Sequence, residues 1–280
     1  MINIFNDIRR AYYIVSVAGA MVIGASFAWA GIPAWVVLIA AIAWVLFCTK
    51  FFGARAKKRV VAIGNNRANC NVTQYIRDYD KLLKEQKPGS LGEGAIKLNL
   101  AAGLMDIGDF DGAARMMATA NLESRDKKNR KSLNALYHNG FASIFTRKGE
   151  FDKAKQAVES CRRAVDELEA QFGNKGIAHM RNYIKIREAQ LAIAEGDISQ
   201  LDNAEKVMFD YLNMAKTKLE RVGASYWLAR LYYTKGNKQE ERRCLAFVAE
   251  NGGDTIYGME AKDILEAYAR HQLEETNESL

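Results

Sequence analysis

A chain of 280 residues with 49% hydrophobic residues has room for one or two domains and enough apolar surface for a sizeable core, which excludes a disordered chain. Only two prolines, Pro33 and Pro88, interrupt a composition rich in Ala, Leu, Lys, Glu and Arg, so the predicted fold class is all-α. The net charge of +7 invites a nucleic-acid partner, but its location speaks against one: between Gly53 and Gly89 nine Lys or Arg face three acids, whereas from Ser90 onward the balance is 28 against 29.

From Ala11 to Thr49, 39 residues pass without a charge or a histidine. One helix of that length would reach about 58 Å, roughly twice the hydrocarbon thickness of a bilayer, so it must be divided. Gly31-Ile32-Pro33 supplies the break, giving spans at 11–30 and 34–52 within a transmembrane hairpin of residues 1–52. Arg9 and Arg10 precede the first span and Lys50, Arg55, Lys57, Lys58 and Arg59 follow the second, which puts both termini in the cytoplasm. Ser16, Ala20, Gly24 and Ala28 give the first span a small-residue face for the second to approach. Trp29 and Trp35 bracket the turn where aromatic belts sit. Arg9-Arg10, an apolar core and Ala28-Trp29-Ala30 also match the three parts of a secretory signal, which leaves cleavage open. The core's length and the following span favour an anchor.

A basic juxtamembrane linker is expected at 53–71, then a helical repeat domain at 72–272 and a polar tail at 273–280. The segment 72–90 reads as an unpaired return helix stopped by Pro88-Gly89, and 254–272 as the opposite cap. Between them GDFDGA (Gly108 to Ala113) and GEFDKA (Gly149 to Ala154) repeat, with weaker copies at Gly196 and Gly236. In the last copy Lys238 and Glu241 stand at the aromatic and alanine positions. Alanine lies seven residues before each of the four glycines, at Ala101, Ala142, Ala189 and Ala229, and Leu104, Phe145, Ala192 and Tyr232 lie four before. The pattern predicts helical hairpins: a small residue at a close crossing, a left-handed glycine stop, then the packed face of the return helix.

These residues resemble the tetratricopeptide repeat family over roughly residues 72 to 265. The resemblance implies a solenoid of α-α hairpins whose spacings of 41, 47 and 40 residues ask for longer helices than the family's usual repeat. It implies a concave surface that binds extended peptides or helices, lined by Asn139, Ser143, Thr146, Tyr183, Gln190, Tyr226, Arg230 and Tyr233.

No catalytic constellation is expected. His138, His179 and His271 fall on separate predicted helices, and Cys48, Cys70, Cys161 and Cys244 lie 22, 91 and 83 residues apart, which suits neither a metal knuckle nor a redox dithiol. They read as buried thiols of a reducing compartment. Asp106, Asp109 and Asp111 do not fit a calcium loop and are expected to cap the return helix. The basic run Arg125 to Lys131 is the best local candidate for an anionic partner but lacks interleaved aromatics. The expectation is a non-enzymatic, membrane-integral scaffold, in a bacterial inner membrane, that takes a protein or peptide ligand. It needs no cofactor or metal, and neither nucleic acid nor a small-molecule substrate is expected as a partner. A structural subunit of a membrane enzyme or transport assembly is the alternative.

Overall fold

The computed structural model describes residues 5–123, 127–173 and 177–278, and among them every regular element is helical. The apolar N-terminus folds as α1 (Asn6–Trp29) and α2 (Ala34–Ala68), turned at Gly31 with φ +65°. Both helices are long and apolar enough to cross a membrane. They pack antiparallel: the Tyr12 hydroxyl meets Thr49 Oγ1 at 3.2 Å, and Arg59 pairs with Asp7 at 2.9 Å. At Gly19 the helices leave no room for a side chain, since a Cβ there would run into the Trp44 ring. Of the expected small-residue face, Ser16 is buried, but a Cβ on Gly24 would meet nothing within 4 Å.

The stretch expected as a linker is helical. Nothing between Phe52 and Ala68 stops a helix, because two mid-helix glycines cost only about 1 kcal/mol each among good formers. α2 therefore continues until Cys70 takes a left-handed φ of 61°. The expected unpaired helix, α3 (Val72–Lys84), is paired, packing on the C-terminal half of α2 and on α4 (Leu91–Asp106). Phe5 and Ile8, at the start of α1, join this core together with Cys48, Phe52, Ala56 and Ile63 of α2, Tyr75, Tyr79 and Leu82 of α3, and Ile96 and Leu100 of α4. Hairpin and helical domain thus share one core.

Four helix pairs follow: α4 with α5 (Phe110–Ala118), α6 (Lys127–Lys148) with α7 (Phe151–Phe172), α8 (Ala178–Glu195) with α9 (Leu201–Met214), and α10 (Lys218–Thr234) with α11 (Lys238–Asn251). Each turns at one of the four repeat glycines, with φ between 71° and 87°. The next residue's N–H closes the same bond every time: Asp109 to Leu104 O at 2.9 Å, Glu150 to Phe145 O at 2.9 Å, Asp197 to Ala192 O at 3.1 Å, Asn237 to Tyr232 O at 2.9 Å. Each glycine N–H donates to the carbonyl three residues back, completing a Schellman motif. The four alanines are all buried at the crossings. At the alanine position of the last turn Glu241 is buried instead and accepts from the Tyr268 hydroxyl at 2.6 Å.

The last helix, α12 (Ile256–Glu278), packs on α11 and α10 and continues through most of the expected polar tail. Its first turn is built on Thr255, whose hydroxyl donates to Gly252 O and accepts from Gly258 N–H. The preceding turn returns to the start of the domain. Asp254 accepts from the N–H groups of Val72 at 2.6 Å and Thr73 at 2.7 Å, and its own N–H donates to Cys70 O at 3.2 Å. Asn71, a residue type suited to cap α3, makes no side-chain cap, so a carboxylate 182 positions away satisfies those first-turn amides.

Candidate interaction face

The first helices of the pairs carry all eight residues expected to line a groove, and the structure divides them. Tyr183, Arg230 and Tyr233 are exposed, and Asn139 and Ser143 are half-buried. Thr146, Gln190 and Tyr226 are buried. Thr146 returns its hydroxyl to Ala142 O at 2.8 Å. Gln190 and Asn139 both accept from Arg187, at 2.5 and 3.1 Å. These interior groups have partners within the chain.

Tyr226 is fully buried because α12 lies over it. Its hydroxyl accepts from Arg147 Nη1 at 2.8 Å and donates to Glu260, which also takes Arg147 Nη2 at 2.5 Å. Three helices, α6, α10 and α12, are thereby bolted together. The Arg147 guanidinium lies 5.1 Å from the Tyr226 ring centre and 5.7 Å from those of Phe110 and Tyr257. Burial opposes its charge, but Tyr226 and Glu260 outweigh that and hold the guanidinium pKa above its usual value. Burial likewise lifts the Tyr226 hydroxyl against the pull of Arg147, with Glu260 assisting. The group is neutral in sum and mechanically closed.

A second pair bolts α2 to α4. Arg67 reaches Asp106 through Nε at 2.5 Å and Nη2 at 3.3 Å, a bidentate contact over the Tyr75 ring. Asp106 therefore does not cap α5. Asp109 does, accepting from Gly112 N–H at 2.8 Å, while Asp111 pairs with Lys148 at 2.8 Å. Asp106 and Arg147 occupy the same repeat position, two residues before the turn glycine. A charge inside each packed end was the available signal, but its partners, Arg67 and Glu260, stand outside the repeats.

After Gly196 a 3₁₀ turn (Ile198–Gln200) precedes α9, and a cleft of about 740 Å³ lies between α7 and α9 with α8 as its floor. Ile186, Ala189 and Val207 lie beneath a charged rim that includes Lys185, Lys206 and Asp210. None of the eight expected residues lines it. Cys48, Cys70 and Cys161 are buried free thiols and Cys244 is half-buried. Burial pushes the thiols of Cys70, Cys161 and Cys244 up to about 11, which keeps them protonated and unreactive at neutral pH. Among the described residues no three His, Cys, Asp or Glu are grouped to hold a metal ion. Part of the basic run at 125–131 lies outside the described residues. Comparison with family models, curated proteins and solved structures finds no match.

Proposed function

We propose that this chain is a membrane-anchored, cytoplasm-facing scaffold whose tetratricopeptide-like helical array presents a binding surface to protein partners. The observation that carries the reading is a tandem series of four Schellman-terminated helix pairs joined directly to two exposed apolar helices. The apolar band supports the anchor. Exposed side chains run from Tyr13 to Trp29 on α1 and from Trp35 to Phe51 on α2, each stretch about 24 Å long and so close to the hydrocarbon depth. Because the inner face is engaged by α12, partner contact falls to its exposed rim, Tyr183, Arg230 and Tyr233, and to the cleft ending at Met214.

One observation favours the rival reading, a bracing subunit of a membrane assembly: Phe5, Ile8 and Phe52 pack in the same core as Tyr75 and Leu82, so the anchor is no loose tether. Site-specific photo-crosslinking in native membranes separates the two. Soluble proteins captured from Tyr183, Met214 and Tyr233 support the scaffold, whereas stoichiometric integral partners captured from Val22 and Ile39 support the subunit. Recovery of the chain in the soluble fraction after alkaline extraction sinks both.

A further inference from the structure

α2 leaves the apolar band as an unbroken helix that carries only positive charge. From Ala34 to Ala68 it contains no acid, and its cations sort into two sets. Arg59 and Arg67 are paired within the chain, with Asp7 and Asp106. Lys50, Arg55, Lys57 and Lys58 are exposed and have no hydrogen-bond or ion-pair partner among the described residues.

The two inter-helix contacts fix their depth. Tyr12 lies level with Thr49, and Asp7 within reach of Arg59, so exposed Arg10 of α1 stands at the same height as Lys50. Both helices therefore exchange apolar for basic side chains at about one level, near Tyr13 and Phe51. From there Lys58 is seven residues onward, about 10 Å, which with a lysine's reach covers the headgroup layer. The opposite face of α2, with Phe52, Ala56 and Ile63, is committed to the core, so the helix has little freedom to turn its cations elsewhere.

Resting on the reading that the hairpin spans a bilayer, we propose that Arg10, Lys50, Arg55, Lys57 and Lys58 form a binding surface for anionic phospholipid headgroups, which fixes the height and orientation of the helical domain on the membrane. Charge complementarity selects this occupant: the five cations sit at headgroup depth on both helices, and the exposed acid beside them, Asp7 of α1, is already paired with Arg59.

The test uses the full-length chain in vesicles of phosphatidylcholine alone and of phosphatidylcholine with about one quarter phosphatidylglycerol. Spin-labelled phosphatidylglycerol and phosphatidylcholine report the lipid held at the protein surface. Expected is a preference for the anionic label of at least about fivefold, the contribution of a single near-surface cation, falling as salt is raised. The variant Lys50→Gln/Arg55→Gln/Lys57→Gln/Lys58→Gln should lose it. A charge-matched control, Lys216→Gln/Lys218→Gln/Lys238→Gln/Lys262→Gln, should retain it, with circular dichroism checking that both stay helical. No preference in the parent chain, or equal preference in the first variant and the parent, overturns the proposal while leaving the anchor intact. Failure to incorporate into either vesicle overturns the anchor and the proposal together.

Discussion

Replacing Asp254 by alanine should loosen a helix that begins 182 residues earlier. The carboxylate takes two short bonds, 2.6 Å from Val72 N–H and 2.7 Å from Thr73 N–H, at the positive end of α3. Loss of an N-terminal cap costs roughly 0.5–2 kcal/mol. Val72 is fully buried, so an unsatisfied N–H there adds a penalty of about 1–3 kcal/mol. Asp254 is only half-buried and solvent screens its charge, which places the expected total near 2 kcal/mol, toward the low end of that range. Native-state hydrogen exchange reads this locally: the amides of Val72 and Thr73 should exchange about 30-fold faster, while those of α8 keep their protection. Asp254→Asn, which retains one acceptor oxygen, should lose about half as much free energy. Unchanged exchange at Val72 and Thr73 in the alanine variant would refute the clasp.

The same carboxylate sets a pH dependence. Burial raises its pKa, but the Val72 and Thr73 donors win and bring it below the usual 3.8, so its stabilisation is complete above that value and lost as pH falls through the lower one. Thermal melts of the parent chain should therefore steepen downward in acid more than those of Asp254→Asn. Glu260→Gln leaves the Arg147 side chain, 11% exposed, without its carboxylate and should cost about 2–3 kcal/mol in urea unfolding. Adding Tyr226→Phe should cost less in that background than alone, because the two share one network. Gly149→Ala forces a left-handed alanine into open space and should cost about 1 kcal/mol. Gly108→Ala should cost more, since its Cβ also meets Ile256 Cδ1 at 3.0 Å. Removing residues 1–52 strips Phe5, Ile8, Cys48 and Phe52 from the core of α3, so size-exclusion chromatography should show self-association; a monodisperse product would refute the shared core.

Local grammar was legible in the sequence. A left-handed glycine after a helix and an alanine two turns before it are decided by backbone sterics within a dozen residues, and all four copies obey them. The break at Gly31-Pro33 was readable for the same reason. The helical state of residues 53–68 is not legible in their charge, because positive charge is a statement about solvent and lipid and does not end a helix. Tyr226, Thr146 and Gln190 lie on the expected helices, but whether that face is open depends on where α12 folds back. Glu260 is 113 positions from Arg147 and Asp254 is 182 from Val72, so no local pattern announces either pairing. The 3₁₀ turn before α9 showed in the sequence only as a weak repeat, and no local pattern announced the cleft above α8.

The shared core changes what anchoring means for the proposed role. A flexible tether lets a domain sweep a hemisphere and raises the local concentration of partners without orienting them. Here α2 is bound by Arg67 to α4, packs on α3 and α10, and ends at the Asp254 clasp before α12. Rotation of the hairpin would therefore drag the first and last helices of the domain together, and with them the α7–α9 cleft. Binding that distorts either end of the array has to strain the Arg67–Asp106 and Arg147–Glu260 bolts, while binding on the cleft or the Tyr183–Tyr233 rim leaves them intact. In the proposed role, this construction favours partners whose own position on the membrane is fixed, since only those meet a surface held at constant height and angle.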